Sequence, residues 1–578
     1  MHTGILAALA FLLQETPPVA PTAQEAAVAP AEYEPRYHTL GEVAALVKGW
    51  IASARPERTL VEAVDLPATG TGLPVPALAF GAPGGIPLAQ RPTVLLLGGL
   101  DGVSLSGSEA VLSSTSMLLA QPSRLPRDIA FVAVPWASPE ALAQMQAGRG
   151  GDGRDLTPLD DDGDGAVDED GPDDLDGDGR ILDMLIEDPE GPWVRAADPR
   201  FLAPARAGDA PRYKLVREGR DDDGDGKFNE DPAGGVCFDR SFPLGWRCDH
   251  PFAKGAELPL EIPSCRAIAD LALTRRTAAV LMFQGDYGGL GLPGSRHENP
   301  WPKDADAGAF EIAARLFARA TGRATPPPAP LVVAREQERP GAGLDWFYAV
   351  PGALALEVAV WGPNVEKPAD AAGVGLADAL FENAGKPGAR AVPPAVSATD
   401  VAWRRWLDNL RGGIGFVEWH PVELGDGRSA LVGGWEPNSR RNAPEKSLPA
   451  ALAGMGDFVA ELSAALPVLE LRLTDVRREG EVCTIRARIA DIGTLPTGAW
   501  TSGRAGSGTA TPPGARLELE LPAGARLLSG EAGVGLGTIS GGGTSREVSW
   551  IVLAAPGSVL TVHATAPWTV AIAREVKP

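Results

Sequence analysis

The sequence is poor in histidine and cysteine, with six histidines and four cysteines among 578 residues. The spacing of Cys237, Cys248, Cys265 and Cys483 is unlike that of zinc ligands, although two of the first three could pair in an oxidising compartment. The chain also lacks an uninterrupted apolar run of about 18 residues, the length that a membrane span needs. These absences argue against a cysteine zinc cluster and predict a protein without a membrane span.

Basic residues are also scarce, with 52 Lys and Arg against 75 Asp and Glu and a formal net charge of -23. Two stretches hold most of this charge. Residues 151–190 contain 17 acidic and 2 basic side chains, and residues 221–231 contain 6 acidic and 1 basic. The rest of the chain is nearly neutral, so the acidity belongs to local sites rather than to a general acidic surface. The sequence therefore predicts no nucleic-acid partner.

The chain begins with features of an export signal. An apolar run from Ile5 to Leu13 precedes a Pro/Ala-rich stretch that continues to about Pro30. The run is too short to cross a membrane and is similar to the apolar segment of a secretory signal peptide. It predicts a signal peptide over 1–23, a linker over 24–35 and export to the periplasm or the extracellular space. A disordered tail is the alternative, because no Lys or Arg precedes the run.

Hydrophobic periodicity divides the remaining chain into two regions. Thr39 and Glu42 form a capping box that opens a helix, and strand-like and helix-like runs then alternate. This order predicts an α/β domain over 36–466, with a mixed, largely parallel sheet flanked by helices. An acidic insertion interrupts the domain at 149–235. Alternating apolar and polar residues with Gly-rich turns then predict a C-terminal antiparallel β-sandwich over 467–578.

The acidic insertion contains a repeated pattern of aspartates and glycines. Residues 160–170 recur as 221–231, and a shorter copy occupies 174–181. Carboxylates at positions 1, 3 and 5 with glycine at position 6 are typical of calcium loops, because calcium takes six to eight oxygen ligands. The Glu of position 12 is missing, so neighbouring acids or another segment must complete each shell; a solvated acidic loop is the alternative. The predicted ligands of structural calcium are Asp160, Asp162, Asp164, Asp168, Asp174, Asp176, Asp178, Asp221, Asp223, Asp225 and Asn229.

Polar residues follow several predicted strands of the α/β domain. In open α/β sheets, functional residues gather beyond the carboxyl ends of the strands. We therefore expect one cleft to contain side chains from the first buried strand, the segment after the insertion and the last two strands. These side chains are Asp101, Ser104, Asp239, Arg240, Gln284 and Glu357.

These segments, taken in chain order, resemble zinc carboxypeptidases of the carboxypeptidase A type. The likeness covers about Arg36 to Leu466 and its layout is similar to that of secreted bacterial members. The family pattern is Gly-Gly-x-His-x-x-Glu, Asn-Arg-Asn-Phe-Pro, a zinc His at a strand end, Asp-Trp-x-Tyr and a catalytic Glu. The corresponding segments here are Gly98-Gly99-Leu100-Asp101-Gly102-Val103-Ser104, Asp239-Arg240-Ser241-Phe242-Pro243, Gln284, Asp345-Trp346-Phe347-Tyr348 and Glu357.

The resemblance implies roles for individual residues. It implies a carboxypeptidase-like fold that binds peptides or protein carboxy termini, with Arg240 binding the terminal carboxylate of the substrate. It also places Glu357 at the general-base position. The zinc ligands are expected at Asp101, Ser104 and Gln284, with Asp286 as an alternative to Gln284.

The zinc-ligand positions depart from the family pattern, because no histidine occupies any of them. Asp239 also replaces the family's Asn and adds a negative charge where a carboxylate would bind. Zinc lowers the pKa of bound water from 15.7 to about 7, whereas a carboxylate that titrates near 4.3 is too weak a base to deprotonate free water efficiently. The sequence therefore predicts a zinc carboxypeptidase homologue that binds peptide carboxy termini and is catalytically impaired.

Two other functions remain open on the sequence alone. One is an active metallocarboxypeptidase with a rebuilt metal site, using Asp101 and Asp286 with Glu109 or His297. The other is a calcium-stabilised scaffold or adhesion protein of the cell envelope, with a vestigial cleft. Substrate specificity and oligomeric state are also left open.

Overall fold

The computed structural model describes most of the chain in separate ranges. The predicted signal peptide lies outside them. The described residues are 32–148, 153–158, 160, 165–168, 170–222, 224, 226–229, 234–247, 258–285, 289–294, 306–323, 340–362, 415–425, 427–436, 439, 442–499 and 514–576.

The first part of the described chain contains strands in two sheets. In chain order they are β1 (Leu60–Ala63), β2 (Leu78–Gly81), β3 (Thr93–Gly98), β4 (Ala130–Val134), β5 (Asp183–Glu187), β6 (Trp193–Arg195), β7 (Leu202–Pro204), β8 (Tyr213–Arg217), β9 (Thr277–Phe283), β10 (Leu290–Gly291), β11 (Leu354–Val358), β12 (Phe416–Glu423) and β13 (Ser429–Trp435).

A mixed sheet lies at the centre of the α/β domain, as the sequence predicted. Within the described residues its seven strands have the order β1-β2-β4-β3-β9-β11-β10. The four central strands, β4, β3, β9 and β11, are parallel, whereas β1, β2 and β10 join through antiparallel pairings. Every residue of the four central strands is buried, the pattern of a parallel sheet covered on both faces. The parallel part of the sheet is thus confined to its middle.

Helices pack beside this sheet. Helix α2 lies next to the carboxyl ends of β3 and β9. It packs on β3 and β9 and against α8, and Thr39 and Glu42 form the capping box of α1. The helices of the described chain are α1 (Leu40–Ala52), α2 (Leu105–Ala120), α3 (Pro139–Gln146), α4 (Pro263–Thr274), α5 (Ala307–Thr321), α6 (Gly343–Ala349), α7 (Leu448–Leu452) and α8 (Met455–Ala464). None of them combines the length and the apolarity that crossing a membrane requires.

The acidic insertion contributes strands that the sequence analysis did not predict. In the described residues, β5 to β8 form an antiparallel sheet with β12 and β13, in the order β12-β13-β5-β8-β6-β7. The buried side chains of Leu182, Met184 and Val432 belong to its small hydrophobic cluster. Strand β5 of the insertion is therefore paired with β13, which follows it by more than 200 residues in the chain.

The C-terminal region contains two four-stranded antiparallel sheets within the described residues, ordered β14-β15-β19-β17 and β18-β16-β20-β21. Leu471, Ile485, Leu517, Trp550 and Val562 contribute to a hydrophobic cluster that is separate from that of the α/β domain. The strands are β14 (Leu469–Glu479), β15 (Val482–Asp491), β16 (Ala515–Glu520), β17 (Arg526–Ser529), β18 (Gly533–Gly537), β19 (Thr544–Leu553), β20 (Leu560–Thr565) and β21 (Ile572–Val576).

This C-terminal region contacts the α/β domain near the amino end of β9. Trp568 is buried within the main hydrophobic cluster, and its Nε1 donates a hydrogen bond to the carbonyl of Gly352 at 3.0 Å. Arg276 Nη1 donates to the carbonyl of Thr569 at 3.1 Å. The two regions therefore share buried surface through Trp568.

Gly107 allows α2 to cross the carboxyl end of β9. A Cβ at this position would lie 1.8 Å from the carbonyl oxygen of Phe283. We expect Gly107→Ala to destabilise the protein by about 1–3 kcal/mol, since overpacking forces the backbone to move. Urea unfolding measures the change.

The matched control is Gly308→Ala in α5, where no atom lies within 4 Å of the added Cβ. This change should be neutral or stabilising by up to about 1 kcal/mol, since alanine has the higher helix propensity. Equal stabilities of the two variants would contradict the close approach of α2 to β9.

Candidate functional site

The register of the central strands brings their carboxyl ends to one edge of the sheet. Gly98 of β3 lies opposite Phe283 of β9, and Phe283 lies opposite Val358 of β11. Gln284 follows directly after β9, and Glu357 is the penultimate residue of β11. The side chains of both residues are buried. The parallel register therefore places the residues that follow β3 and β9 beside Glu357.

Gln284 lies at the centre of a hydrogen-bond network at this edge. Its Nε2 donates to Asp239 Oδ2 at 3.1 Å and to Glu357 Oε2 at 3.0 Å. Its Oε1 accepts a hydrogen bond from the backbone N–H of Asp101 at 3.0 Å. Both N–H groups of the amide and its carbonyl oxygen are thus engaged. Gln284 is 1% exposed, so these bonds form away from water.

Asp101 and Ser104 are bound to each other. Ser104 Oγ donates to Asp101 Oδ2 at 2.7 Å, and Asp101 Oδ1 accepts from the backbone N–H groups of Val103 and Ser104. Ser104 Oγ in turn accepts from the backbone N–H of Gly285 at 3.1 Å. The carboxylate of Asp101 therefore stabilises the turn that leads into α2, and the hydroxyl of Ser104 links that turn to the end of β9.

Asp239 and Arg240 form an ion pair beside Gln284. Arg240 Nη1 donates to Asp239 Oδ2 and to the Asp239 carbonyl, both at 3.0 Å. Asp239 Oδ1 accepts from the backbone N–H of Gly343 at 3.0 Å. Complete burial, with the charge of Asp239 as a second cause, raises the pKa of the neighbouring Cys265 thiol. Asp239 thus lies in a poorly solvated environment, where Arg240 and Gln284 compensate its charge.

The residues at the zinc-ligand positions do not fit a zinc ion. Asp101 offers a carboxylate that already accepts three hydrogen bonds, Ser104 a hydroxyl that both donates and accepts, and Gln284 a fully engaged amide. Zinc sites in proteins are built mainly from histidine nitrogens and cysteine sulfurs. None of these three residues supplies either atom type, and binding a metal would break the bonds that hold them.

Of the residues considered for a rebuilt metal site, the structure describes Asp101 and Glu109. Glu109 is 1% exposed and accepts a hydrogen bond from the backbone N–H of His38 at 2.8 Å, and its second oxygen lies 3.0 Å from His38 Nδ1. Its carboxylate is therefore committed to the segment that precedes α1. Asp286 and His297 lie outside the described residues.

The three acidic repeats share one backbone feature where the structure describes them. In each, the glycine five residues after the first aspartate donates its N–H to that aspartate's Oδ2. The pairs are Gly165 and Asp160 at 3.1 Å, Gly179 and Asp174 at 2.8 Å, and Gly226 and Asp221 at 3.0 Å. The repeated sequence therefore folds into a repeated turn. The predicted ligands Asp162, Asp164, Asp223 and Asp225 lie outside the described residues.

A cluster of carboxylates lies at the shortest repeat. Within the described residues, oxygens of Asp174, Asp176 and Glu218 lie within 4.8 Å of one another. Glu218 is fully buried; burial raises the pKa of its carboxyl, and the charges of Asp176 and Asp174 raise it further. His420 Nε2 lies 2.7 Å from Asp176 Oδ2. Sequence reasoning missed Glu218 and His420, because both reach the repeat from distant segments.

A cavity of about 180 Å³ lies away from the strand-end network. Thr277, Pro351 and Trp568 contribute to its lining, at the amino end of β9 where the C-terminal region contacts the α/β domain. It is therefore separate from the residues that the sequence singled out.

Comparison with known proteins gives a family model for the C-terminal region and partial structural similarities for the rest. Residues 468–577 match a family model described as a domain of unknown function, DUF8731. No curated protein matches the chain.

Three solved structures are similar to parts of it. Thrombin activatable fibrinolysis inhibitor is 11% identical, with a TM-score of 0.33, 54% of this chain covered and 63% of that one. The bovine protein, in complex with tick carboxypeptidase inhibitor, is 12% identical (TM-score 0.32; 54% and 82% covered). Carboxypeptidase A from Helicoverpa armigera is 14% identical (TM-score 0.35; 58% and 66% covered). These TM-scores are low, and the fold of the α/β domain is defined by its own strand order and register.

Replacing Gln284 by glutamate tests the network. Gln284→Glu removes both donors and adds a third carboxylate beside Asp239 and Glu357, so we expect a loss of about 3 kcal/mol or more near pH 8. These neighbours should raise the folded-state pKa of the new carboxyl above its unfolded value near 4.3. The loss should therefore grow as the pH rises above about 4.3 and shrink toward pH 5. Urea unfolding at pH 5 and pH 8 measures it.

The control is Gln90→Glu, because Gln90 is exposed. It should change the free energy of unfolding by less than about 0.5 kcal/mol at either pH. If Gln284→Glu changed the free energy of unfolding as little as this control, the hydrogen bonds of the Gln284 amide to Asp239 and Glu357 would not stabilise the site.

Proposed function

We propose that the α/β domain is a non-hydrolytic relative of zinc carboxypeptidases that binds the carboxy termini of peptides or proteins. The observation that carries this proposal is the side chain of Gln284, which is hydrogen-bonded to Asp239, to Glu357 and to the backbone of Asp101. The order of the sequence motifs supports the relationship, and the hydrogen bonds support the loss of hydrolysis.

The chemistry of the site favours binding over hydrolysis. A Lewis acid is what makes water acidic enough to attack an amide at neutral pH, lowering the pKa of the bound water to about 7. Asp101, Ser104 and Gln284 offer oxygen donors that are engaged with one another and with the backbone. Glu357, at the general-base position, accepts a hydrogen bond from Gln284. Among the described residues, the domain therefore has a carboxylate at the base position but no ligand set of the kind that activates water.

Arg240 is the residue that we expect to bind a peptide carboxylate. Its Nη1 is held by Asp239, which fixes the orientation of the planar guanidinium. Within the described residues, Nε and Nη2 make no hydrogen bond, and the side chain is 13% exposed. The edge formed by Nε and Nη2 thus remains for a carboxylate, although the charge of Asp239 should keep the affinity modest.

We also propose that the acidic repeats bind structural calcium and that the protein is exported. The shared turn in the three repeats and the proximity of Asp174, Asp176 and Glu218 support the calcium sites. Hard oxygen donors suit calcium, and extracellular calcium modules bind at about 10⁻⁴ to 10⁻³ M. The apolar run at the amino terminus supports export.

Peptides with a free or an amidated carboxy terminus test the role of Arg240. Fluorescence anisotropy should show roughly tenfold tighter binding of the free carboxylate, equivalent to about 1.4 kcal/mol. Arg240→Ala should abolish this preference, because the amidated peptide lacks the charge that Arg240 binds. Arg315→Ala, at a guanidinium that is 69% exposed on α5, is the matched control and should leave the preference unchanged. Equal binding of both peptides to the unaltered protein would contradict the proposal.

Metal content and peptide cleavage test the loss of hydrolysis. The purified chain should contain much less than one zinc per molecule after dialysis, since the ligand positions lack nitrogen and sulfur donors. Mass spectrometry of a peptide panel incubated with added zinc should show no released carboxy-terminal residues. One tightly held zinc per chain, with cleavage that Glu357→Gln abolishes, would instead establish an active metallocarboxypeptidase.

A further inference from the structure

Two segments of the acidic insertion run side by side and bring its first and second repeats into contact. Pro172 and Gly219 form an antiparallel bridge, and the backbone N–H of Asp173 donates to the carbonyl of Glu218 at 3.0 Å. This pairing places Asp170 against the start of the second repeat, where its Oδ1 accepts from the backbone N–H of Asp222 at 3.4 Å. Asp170 is therefore part of the repeat at 160–170 in sequence, but it contacts the repeat at 221–231 in the structure.

Three side-chain oxygens in this neighbourhood are buried without a hydrogen-bond partner. They are Oδ2 of Asp170, Oδ1 of Asp221 and Oδ1 of Asn229. Asp170 is only 1% exposed. A buried carboxylate oxygen without a donor costs free energy, and native proteins leave few such atoms. Three acceptors without donors in one neighbourhood favour a ligand that supplies positive charge.

The orientation of Asn229 is defined by its other contact. Its Nδ2 donates to the carbonyl of Arg217 at 2.9 Å, which leaves its Oδ1 as the unpartnered atom. A Cβ added at Gly219 would lie 2.1 Å from this Oδ1. Glycine at position 219 thus leaves a space beside Oδ1 of Asn229, and the side chain of any other residue would fill that space.

The surrounding charge favours a cation. The charges of Asp170, Asp173 and Asp221 act on the side chain of Asp222, and Arg220 opposes them. Arg428 Nη2 lies 4.0 Å from Oδ2 of Asp221, the oxygen that also accepts a hydrogen bond from the backbone N–H of Gly226. In the described part of the chain, Oδ1 of Asp221 has no hydrogen-bond partner. Carboxylate and amide oxygens are donors that calcium prefers over zinc.

We propose that Asp170 Oδ2, Asp221 Oδ1 and Asn229 Oδ1 bind one calcium ion, which links the first acidic repeat to the second. This site, the Asp170 site, deepens the calcium proposal above by naming a ligand from outside the repeat that it serves. The ion joins the end of β8, through Asn229 and Arg217, to the segment that leads into β5. Calcium at the Asp170 site therefore holds the inserted strands together.

Calcium titration of the full chain tests this site. After removal of calcium with a chelator, isothermal titration calorimetry with CaCl₂ compares the unaltered protein with Asp170→Asn and Asp173→Asn. Asp170→Asn should weaken one binding event roughly tenfold or more, because it replaces a charged ligand by a neutral one. Asp173→Asn removes the same charge from a neighbouring residue and should have a much smaller effect.

Thermal unfolding distinguishes a ligand from a merely structural residue. Without calcium, Asp170→Asn should be at least as stable as the unaltered protein, since it removes a buried charge whose Oδ2 lacks a donor. The rise in melting temperature on adding calcium should be smaller than in the unaltered protein. Gly219→Ala, which fills the space beside Asn229, should also reduce that rise.

The outcomes distinguish calcium binding by the acidic repeats in general from calcium binding at the Asp170 site. If the unaltered chain bound no calcium, the calcium sites of the repeats and the Asp170 site would both be wrong. If it bound calcium and Asp170→Asn bound it equally well, only the Asp170 site would be wrong. Peptide binding through Arg240 is measured independently and is unaffected by either result.

Discussion

The side-chain amide of Gln284 is the interaction on which the strand-end site depends. Two buried carboxylates, Asp239 and Glu357, would repel each other at the end of a closely packed sheet. The neutral amide of Gln284 donates to both carboxylates and accepts from the backbone N–H of Asp101, which offsets their repulsion. Ser104 then connects the turn before α2 to Gly285. The side chain of Gln284 thus joins three segments of the chain.

The central sheet could be predicted from the sequence because its strands are continuous apolar runs such as Thr93–Gly98 and Thr277–Phe283. The sheet of the insertion could not. Its strands are short and lie among aspartates that dominate the local composition. The partner of β5 is β13, more than 200 residues later, and no local pattern predicts such a pairing. The residue pattern therefore did not predict which distant strands pair with each other or in which register.

The candidate site was predictable in its position but not in its bonding. Parallel strands end at one edge, so Asp101, Gln284 and Glu357 were expected to lie near one another. The bridging role of Gln284 depends on side-chain geometry that residue types alone do not define. The commitment of Glu109 to His38 depends on where the segment before α1 packs. The acidic repeats show the same division between position and bonding, because the sequence pattern marks Asp174 but not the distant Glu218.

The burial of Trp568 has a consequence for how the chain can be divided. Its ring packs into the main hydrophobic cluster, and its indole N–H binds the carbonyl of Gly352, two residues before β11. A fragment ending at Leu466 would leave that carbonyl unpaired and an apolar hollow open to water. The start of β11, the strand that contains Glu357, would then be exposed to solvent. We therefore expect the α/β domain expressed by itself to aggregate rather than to form a soluble folded fragment.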